Sequence, residues 1–234
     1  MTQRSPNRFA VYWTPRPESP LATFGNAWLG RCPSGGAVAH RPELDGYGAD
    51  EISALVADPL RYGFHGTLKP PFRLADGKDE ARLLAGVEAL ASRLRPVNLA
   101  GLAVREIGRF IAIVPDTAPG ALSDLAAACV SELDTFRAPA TEEELTRRRR
   151  AGLSTRQEEL LVRWGYPYVM DEFRFHLTLT GKVPDDRRAG LLRQLQVNAA
   201  DALGPARIED LCVFVEPAPG AAFQLAWRFP LSGA

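Results

Sequence analysis

The stretch Phe173-Arg174-Phe175-His176-Leu177-Thr178-Leu179-Thr180 alternates apolar and polar residues without a break. Successive side chains of a strand leave on opposite faces, so this pattern predicts a half-buried strand. Arg174, His176, Thr178 and Thr180 share its polar face; Phe173, Phe175, Leu177 and Leu179 share the other. An earlier stretch, Phe64-His65-Gly66-Thr67-Leu68, repeats the same frame of His, one residue, Thr, Leu. It also reads as extended, with His65 and Thr67 on one side and Leu68 turned toward a core.

The likeness continues outward from both histidines. After His65 the sequence predicts a helix over 79–94, with Leu83, Leu84, Val87, Leu90, Ala91 and Leu94 on one face, then strands over 97–104 and 110–114. After His176 it predicts a helix over 185–203, then strands over 208–215 and 223–229. His65 and His176 lie 111 positions apart (176 − 65), and a shift by that amount superposes the two sets of elements within a few residues. The expectation is an α+β protein with two similar β-α-β-β lobes related by a pseudo-twofold axis. Mixed or antiparallel sheets would surround a central cleft. The whole chain, 1–234, then reads as a single bilobal domain, with lobes at about 50–115 and 165–234 and a helical connection at about 116–164.

Outside the repeat, residues 9–13 read as a strand, 15–20 as a loop and 32–48 as an irregular Gly- and Pro-rich connection. Residues 50–57 read as a short helix capped by Asp50, with Pro59 beyond its end, and 121–136 as an apolar helix. Thr141 and Glu144 form a capping box. It opens a helix that runs through Arg147, Arg148, Arg149 and Arg150 to about Trp164, where Gly165-Tyr166-Pro167 stops it.

Lys plus Arg equals Asp plus Glu, 28 against 28, which argues against a protein that coats long nucleic acids. A local basic pocket is still allowed. The three cysteines, Cys32, Cys129 and Cys212, are scattered and odd in number, which speaks against a disulfide framework or a structural zinc site. The first eight residues hold no apolar run after their positive charges, and no stretch reaches the ~18 apolar residues of a membrane span. These features fit a cytoplasmic chain. Oligomeric state is not legible in them.

Two imidazoles, with an ordinary pKa of ~6.5, can act as base and acid on opposite sides of one phosphorus. The neighbouring threonine hydroxyls can donate hydrogen bonds to non-bridging oxygens. This chemistry calls for no metal and no cofactor. No carboxylate occupies a facing position beside either motif, which weighs against the histidines as metal ligands.

With its motifs His65-Gly66-Thr67-Leu68 and His176-Leu177-Thr178-Leu179, the chain resembles the 2H phosphoesterase superfamily, defined by a pair of H-x-[S/T]-x motifs flanking a cleft. RYGFHGTLKPPFRLA (61–75), WGYPYVMDEFRFHLTLTG (164–181), RFAVYW (8–13), FGNAWLG (24–30) and RFPL (228–231) are similar to the branch labelled a phosphonate-metabolism protein. Gly66 departs from the wider pattern, where a larger apolar residue follows the first histidine. The resemblance implies a metal-independent phosphoesterase acting on a cyclic phosphate or phosphodiester, with His65 and His176 as acid and base in unassigned order and Thr67 and Thr178 holding the phosphate.

Lys69, Lys182 and Arg174 are further candidates for phosphate charge, and Tyr62, Tyr166 and Tyr168 for stacking on a base or sugar. The arginine run 147–150 reads as a solvated helix with charge pairs to nearby glutamates. His40 reads as surface. Neither a dinucleotide fingerprint, a phosphate-cradling glycine loop nor a nucleophile elbow is present. The competing reading from another class is a non-catalytic nucleotide- or RNA-binding module that retains the cleft.

Overall fold

A computed structural model describes residues 7–233, so most of the amino-terminal stretch assessed for a leader lies outside the described residues. Nine strands occur among them: β1 (Arg8–Trp13), β2 (Gly66–Phe72), β3 (Val97–Leu99), β4 (Leu102–Ile107), β5 (Phe110–Pro115), β6 (Leu177–Thr178), β7 (Ala206–Ile208), β8 (Asp210–Glu216) and β9 (Gln224–Pro230). Seven helices accompany them: α1 (Pro20–Leu29), α2 (Ala49–Tyr62), α3 (Glu80–Ala91), α4 (Gly120–Glu132), α5 (Glu142–Arg149), α6 (Thr155–Trp164) and α7 (Asp185–Ala199). The class is α+β, as the sequence predicts.

The two repeated units do not build separate sheets, which corrects the expectation of one sheet per lobe. Seven strands form one antiparallel sheet in the order β4-β5-β6-β2-β1-β8-β9. The motif strands β2 and β6 lie side by side in its middle, and the hairpins β4–β5 and β8–β9 take opposite ends. Pairing β2 with β6 satisfies backbone groups that separate sheets would leave on open edges. The short strands β3 and β7, one from each unit, pair with each other in a second small sheet.

One face of the large sheet carries the main core. Phe9, Val11 and Trp13 of β1 meet Leu83, Val87 and Leu90 of α3, Leu125 and Cys129 of α4, and Leu191 and Leu195 of α7. The opposite face holds a smaller cluster of Ala10, Tyr12, Cys212, Phe214 and Phe223. Strand alternation assigns each residue of β1 to one of these two faces.

Three differences from the sequence reading bear on the site. First, α2 runs on through Pro59 to Tyr62. Proline lacks the N–H that would bond to the carbonyl of Leu55, and that carbonyl instead accepts from Gly181 N at 2.6 Å. The helix entering the first motif is thereby tied to the chain leaving the second. Second, the helix opened by Thr141 ends at Arg149, and a second capping box, Ser154 with Gln157, starts α6. Third, α1 was not predicted. Ser19 caps it, and its Trp28 Nε1 donates to Leu179 O at 2.7 Å, holding the end of the second motif.

Candidate active site

The first motif follows a turn that only glycine makes comfortably. Gly63 closes α2 with φ 76°, and a Cβ there would sit 2.9 Å from Pro33 Cβ. Its carbonyl accepts from His65 Nδ1 at 2.8 Å. In the second motif the carbonyl of Arg174 accepts from His176 Nδ1 at 2.7 Å. A carbonyl can only accept, so both neutral rings carry their proton on Nδ1 and present Nε2 as an acceptor. His65 Nε2 lies 3.2 Å from Thr67 Oγ1, whose hydroxyl donates to it.

Gly66 pairs with Leu177 across the antiparallel β2–β6 contact. Continuing that register by one residue each way sets His65 beside Thr178 and Thr67 beside His176. The two histidines then occupy a diagonal, a separation of about 7–8 Å between Cα atoms in such a ladder. Gly66 and Leu177 point to the buried side, and all four motif side chains line one cavity of about 730 Å³. Gly66 is required by packing, because a Cβ would fall 2.4 Å from the Phe175 ring. This accounts for the departure from the wider motif.

The two imidazoles differ in their surroundings. Tyr12 stacks on His65, ring centroids 3.7 Å apart and planes 23° apart, and Phe214 lies 6.1 Å away. Burial pushes His65 down to about 4, opposed by its bond to Gly63, with His176 adding a smaller push in the same direction. Burial also lowers His176, against its bond to the Arg174 carbonyl. Phe110 is its nearest aromatic neighbour, at 5.5 Å and tilted.

The other candidates divide. Tyr62 lines the cavity, 6.3 Å from the His65 ring and stacked on Phe223. Tyr168 and Arg174 line an adjoining, more apolar cavity of about 440 Å³ that also reaches Thr67 and His176. Tyr166 borders both cavities. Lys69 is corrected. It is buried, donates to Val130 O at 2.9 Å and lies 3.6 Å from Asp134, away from the cavity. The cause is a bulge: Tyr12 pairs with Thr67 but Val11 with Lys69, so Leu68 is an extra residue and the alternation flips. Lys69 therefore shares the core side with Val11. Lys182 is exposed and borders neither cavity.

Sequence reasoning missed Tyr12 and the cavity's arginines. Arg147 and Arg148 line it, whereas the sequence predicts a solvated helix with charge pairs for the run. Arg148 covers the Tyr166 ring at 4.5 Å. Arg8, Arg61 and Arg73 line the cavity too. Buried Glu216 accepts from Nε and Nη2 of Arg8 (2.6 and 2.7 Å), from Arg61 (2.5 Å) and from Asn7 (2.6 Å), which holds its carboxyl at about 2. Tyr12 falls in the RFAVYW block, but nothing in a strand pattern says which ring it will meet. Among the described residues no group of three or more His, Cys, Asp or Glu is placed to hold a metal ion, and no helix is long and apolar enough to cross a membrane.

Comparison with known proteins adds three findings. A protein from Janthinobacterium sp. (strain Marseille) named ribose 1,5-bisphosphate phosphokinase PhnN is 39% identical over all of this chain, and one of the same name from Laribacter hongkongensis (strain HLHK9) is 38% identical over 93% of it. The chain spans about half the length of these relatives, 52% and 50%. A solved structure described as a phosphoesterase aligns at 14% identity with a TM-score of 0.44, over 97% of this chain and 99% of that one. Residues 67–224, which hold Thr67, the whole second motif, nearly all of β2 and the whole of β3 to β8, match one family model, and the chain belongs to that family, described as protein of unknown function (DUF1045).

Proposed function

We propose that the chain is a metal-independent phosphoesterase that opens a cyclic phosphate or phosphodiester by two-histidine acid–base catalysis. The carrying observation is the quartet: Thr67 and Thr178 on the adjacent strands β2 and β6, and His65 and His176 immediately before them, surround one cavity, and both imidazoles are fixed through Nδ1 with Nε2 left for chemistry. In the productive state one ring is neutral and the other protonated. The proton resides on the ring whose charge is less opposed, which makes His176 the acid and His65 the base. His65 Nε2 takes a proton from water as its oxygen bonds to phosphorus. The bond from phosphorus to the ester oxygen breaks, and His176 Nε2 gives its proton to the departing alkoxide. Thr178 and, once released from His65, Thr67 donate to the non-bridging oxygens. No step calls for a cation.

The relatives' name concerns a phosphorylated ribose, and the resemblance of the chain is to a phosphonate-metabolism branch, so cyclic phosphates of ribose and of nucleosides are the first substrates to test. The experiment is a turnover screen of such compounds with wild type, His65→Ala and His176→Ala. Product from wild type with a loss of ~10²–10⁴-fold in each folded variant supports the proposal. Saturable binding with no product from any compound favours the binding-module reading instead.

A further inference from the structure

The two histidines and two threonines occupy only part of the cavity. Five arginines (Arg8, Arg61, Arg73, Arg147, Arg148) and three glutamates (Glu143, Glu144, Glu216) also line it, a surplus of two positive charges. The chain as a whole has none, with 28 basic against 28 acidic residues. The excess is therefore local to this cavity.

The carboxylates do not absorb it. Glu144 pairs with Arg73 at 3.3 Å. Glu216 is the one acceptor for two cations, Arg8 and Arg61, and is further engaged by Asn7 and by Gly220 N at 3.1 Å. Arg61 gives it a single nitrogen, and its Nε is buried with no hydrogen-bond partner among the described residues. A buried donor left unmade is costly, more so on a charged group. Arg148 is half-buried and has no carboxylate within salt-bridge range among the described residues; its partner is the face of Tyr166. Tyr62 lines the same cavity, within electrostatic reach of both Arg8 and Arg148.

A phosphodiester at the histidine quartet carries one negative charge and already has its own donors. It leaves the Arg61 charge, which shares one carboxylate with Arg8, and the desolvated Arg148 guanidinium unmatched. We propose that this arginine-lined end is a second anion subsite and that the substrate carries a phosphate monoester in addition to the phosphodiester that is opened. Planar guanidinium forks match phosphate oxygens in paired hydrogen bonds, and a dianion reverses the local surplus. Glu216 is a positioning residue, which orients Arg8 and Arg61 by accepting from both. This inference rests on the proposed phosphoesterase reading for the chemistry of the first site, but the subsite can be tested without turnover.

The first test compares adenosine 2′,3′-cyclic phosphate with the same compound phosphorylated at its 5′ oxygen. The expected result is a higher kcat/KM for the 5′-phosphorylated compound. Arg148→Gln and Arg61→Lys, the latter keeping the charge opposite Glu216 but removing the planar guanidinium fork, should each reduce that preference ~10-fold or more, as loss of a charged hydrogen bond implies. Equal kcat/KM for the two compounds, or a preference untouched by both variants, overturns the subsite. The second test is calorimetric titration with ribose 5-phosphate. Binding that survives in His65→Ala and His176→Ala but weakens in Arg148→Gln and Arg61→Lys supports the subsite even if no cyclic phosphate is hydrolysed. Binding lost in the histidine variants and kept in the arginine variants places the monoester at the quartet and overturns the proposal.

Discussion

The sharpest consequence of the site geometry is the pH dependence of kcat/KM, which reports the free enzyme. In the proposed mechanism the active form needs His65 neutral and His176 protonated. Burial beneath Tyr12 puts His65 at about 4, so the acid limb should fall there. Burial also lowers His176 below 6.5, so the alkaline limb should lie on the acid side of that value. A cyclic phosphodiester keeps its single negative charge across this range, so the limbs belong to the protein. The profile should be a bell with its maximum between them. From the alkaline limb upward, kcat/KM should fall about tenfold per pH unit, as the protonated fraction of one group does. Replacing His176 with Ala should abolish the alkaline limb, and replacing His65 with Ala the acid limb, each with a loss of ~10²–10⁴-fold at the optimum. The assay is initial rate at low substrate from pH 3.5 to 8.5, with circular dichroism at each pH to confirm folding. A plateau from pH 5 to 8, or a maximum on the alkaline side of 7, would refute the assignment of His65 as base and His176 as acid.

Four further outcomes are expected. EDTA should leave the rate of the proposed reaction unchanged; loss in chelator with recovery on adding zinc or manganese would make the histidines ligands. Thr178→Ala should cost ~1.5–3 kcal/mol in kcat/KM, one hydrogen bond to a charged oxygen, while Thr178→Ser keeps most of the rate; equal losses in both would place the role outside the hydroxyl. Gly66→Ala should lower stability by ~1–3 kcal/mol, since the new methyl meets the Phe175 ring at 2.4 Å; an unchanged urea midpoint would show that the ring moves freely. His65 binds its proton more weakly when folded, so stability should be complete above pH 6.5 and decline as pH falls toward about 4, by about 3 kcal/mol in all. His65→Gln should flatten urea unfolding across that window, and an equally steep decline would move the cause elsewhere.

The pairing of the two motifs was legible because it depends on local information. Strand alternation put His65 with Thr67 and His176 with Thr178, and a common frame 111 positions apart marked them as partners. What failed depended on long-range pairing. Lys69 shares the alternation with Thr67 on paper, but the extra residue Leu68 reverses it, and that bulge exists only because β1 pairs with both sides of it. Pro70 and Pro71 sit inside β2, a central strand, because β6 is only two residues long on one side and the register with β1 shifts between Phe9 and Val11 on the other. The break between α5 and α6 was visible in principle, since Ser154 and Gln157 form a capping box and Gly152 takes φ 73°. The continuous sheet was not visible, because a repeat in sequence does not say whether its copies pair edge to edge.

The asymmetry between the two histidines follows from a strand that belongs to neither copy of the repeat. Within the repeat both motifs are alike: each Nδ1 is held by a carbonyl two residues upstream, and each threonine follows at the same spacing. β1 inserts on one side only, between β2 and β8, and its alternation delivers Tyr12 to the site face while Val11 and Trp13 enter the core. On the other side β5 lies against β6 and offers Phe110, which meets His176 at 5.5 Å and a 51° tilt where Tyr12 meets His65 at 3.7 Å and 23°. Packing beneath Tyr12 and beside Phe214 shuts water away from His65, and that burial opposes its charge. Two equivalent imidazoles would share one proton evenly, and only half of the singly protonated molecules would carry it on the ring that faces the leaving group. By desolvating one ring, β1 sends the proton to the other, and in the proposed mechanism a repeat that supplies two identical groups thereby yields one base and one acid.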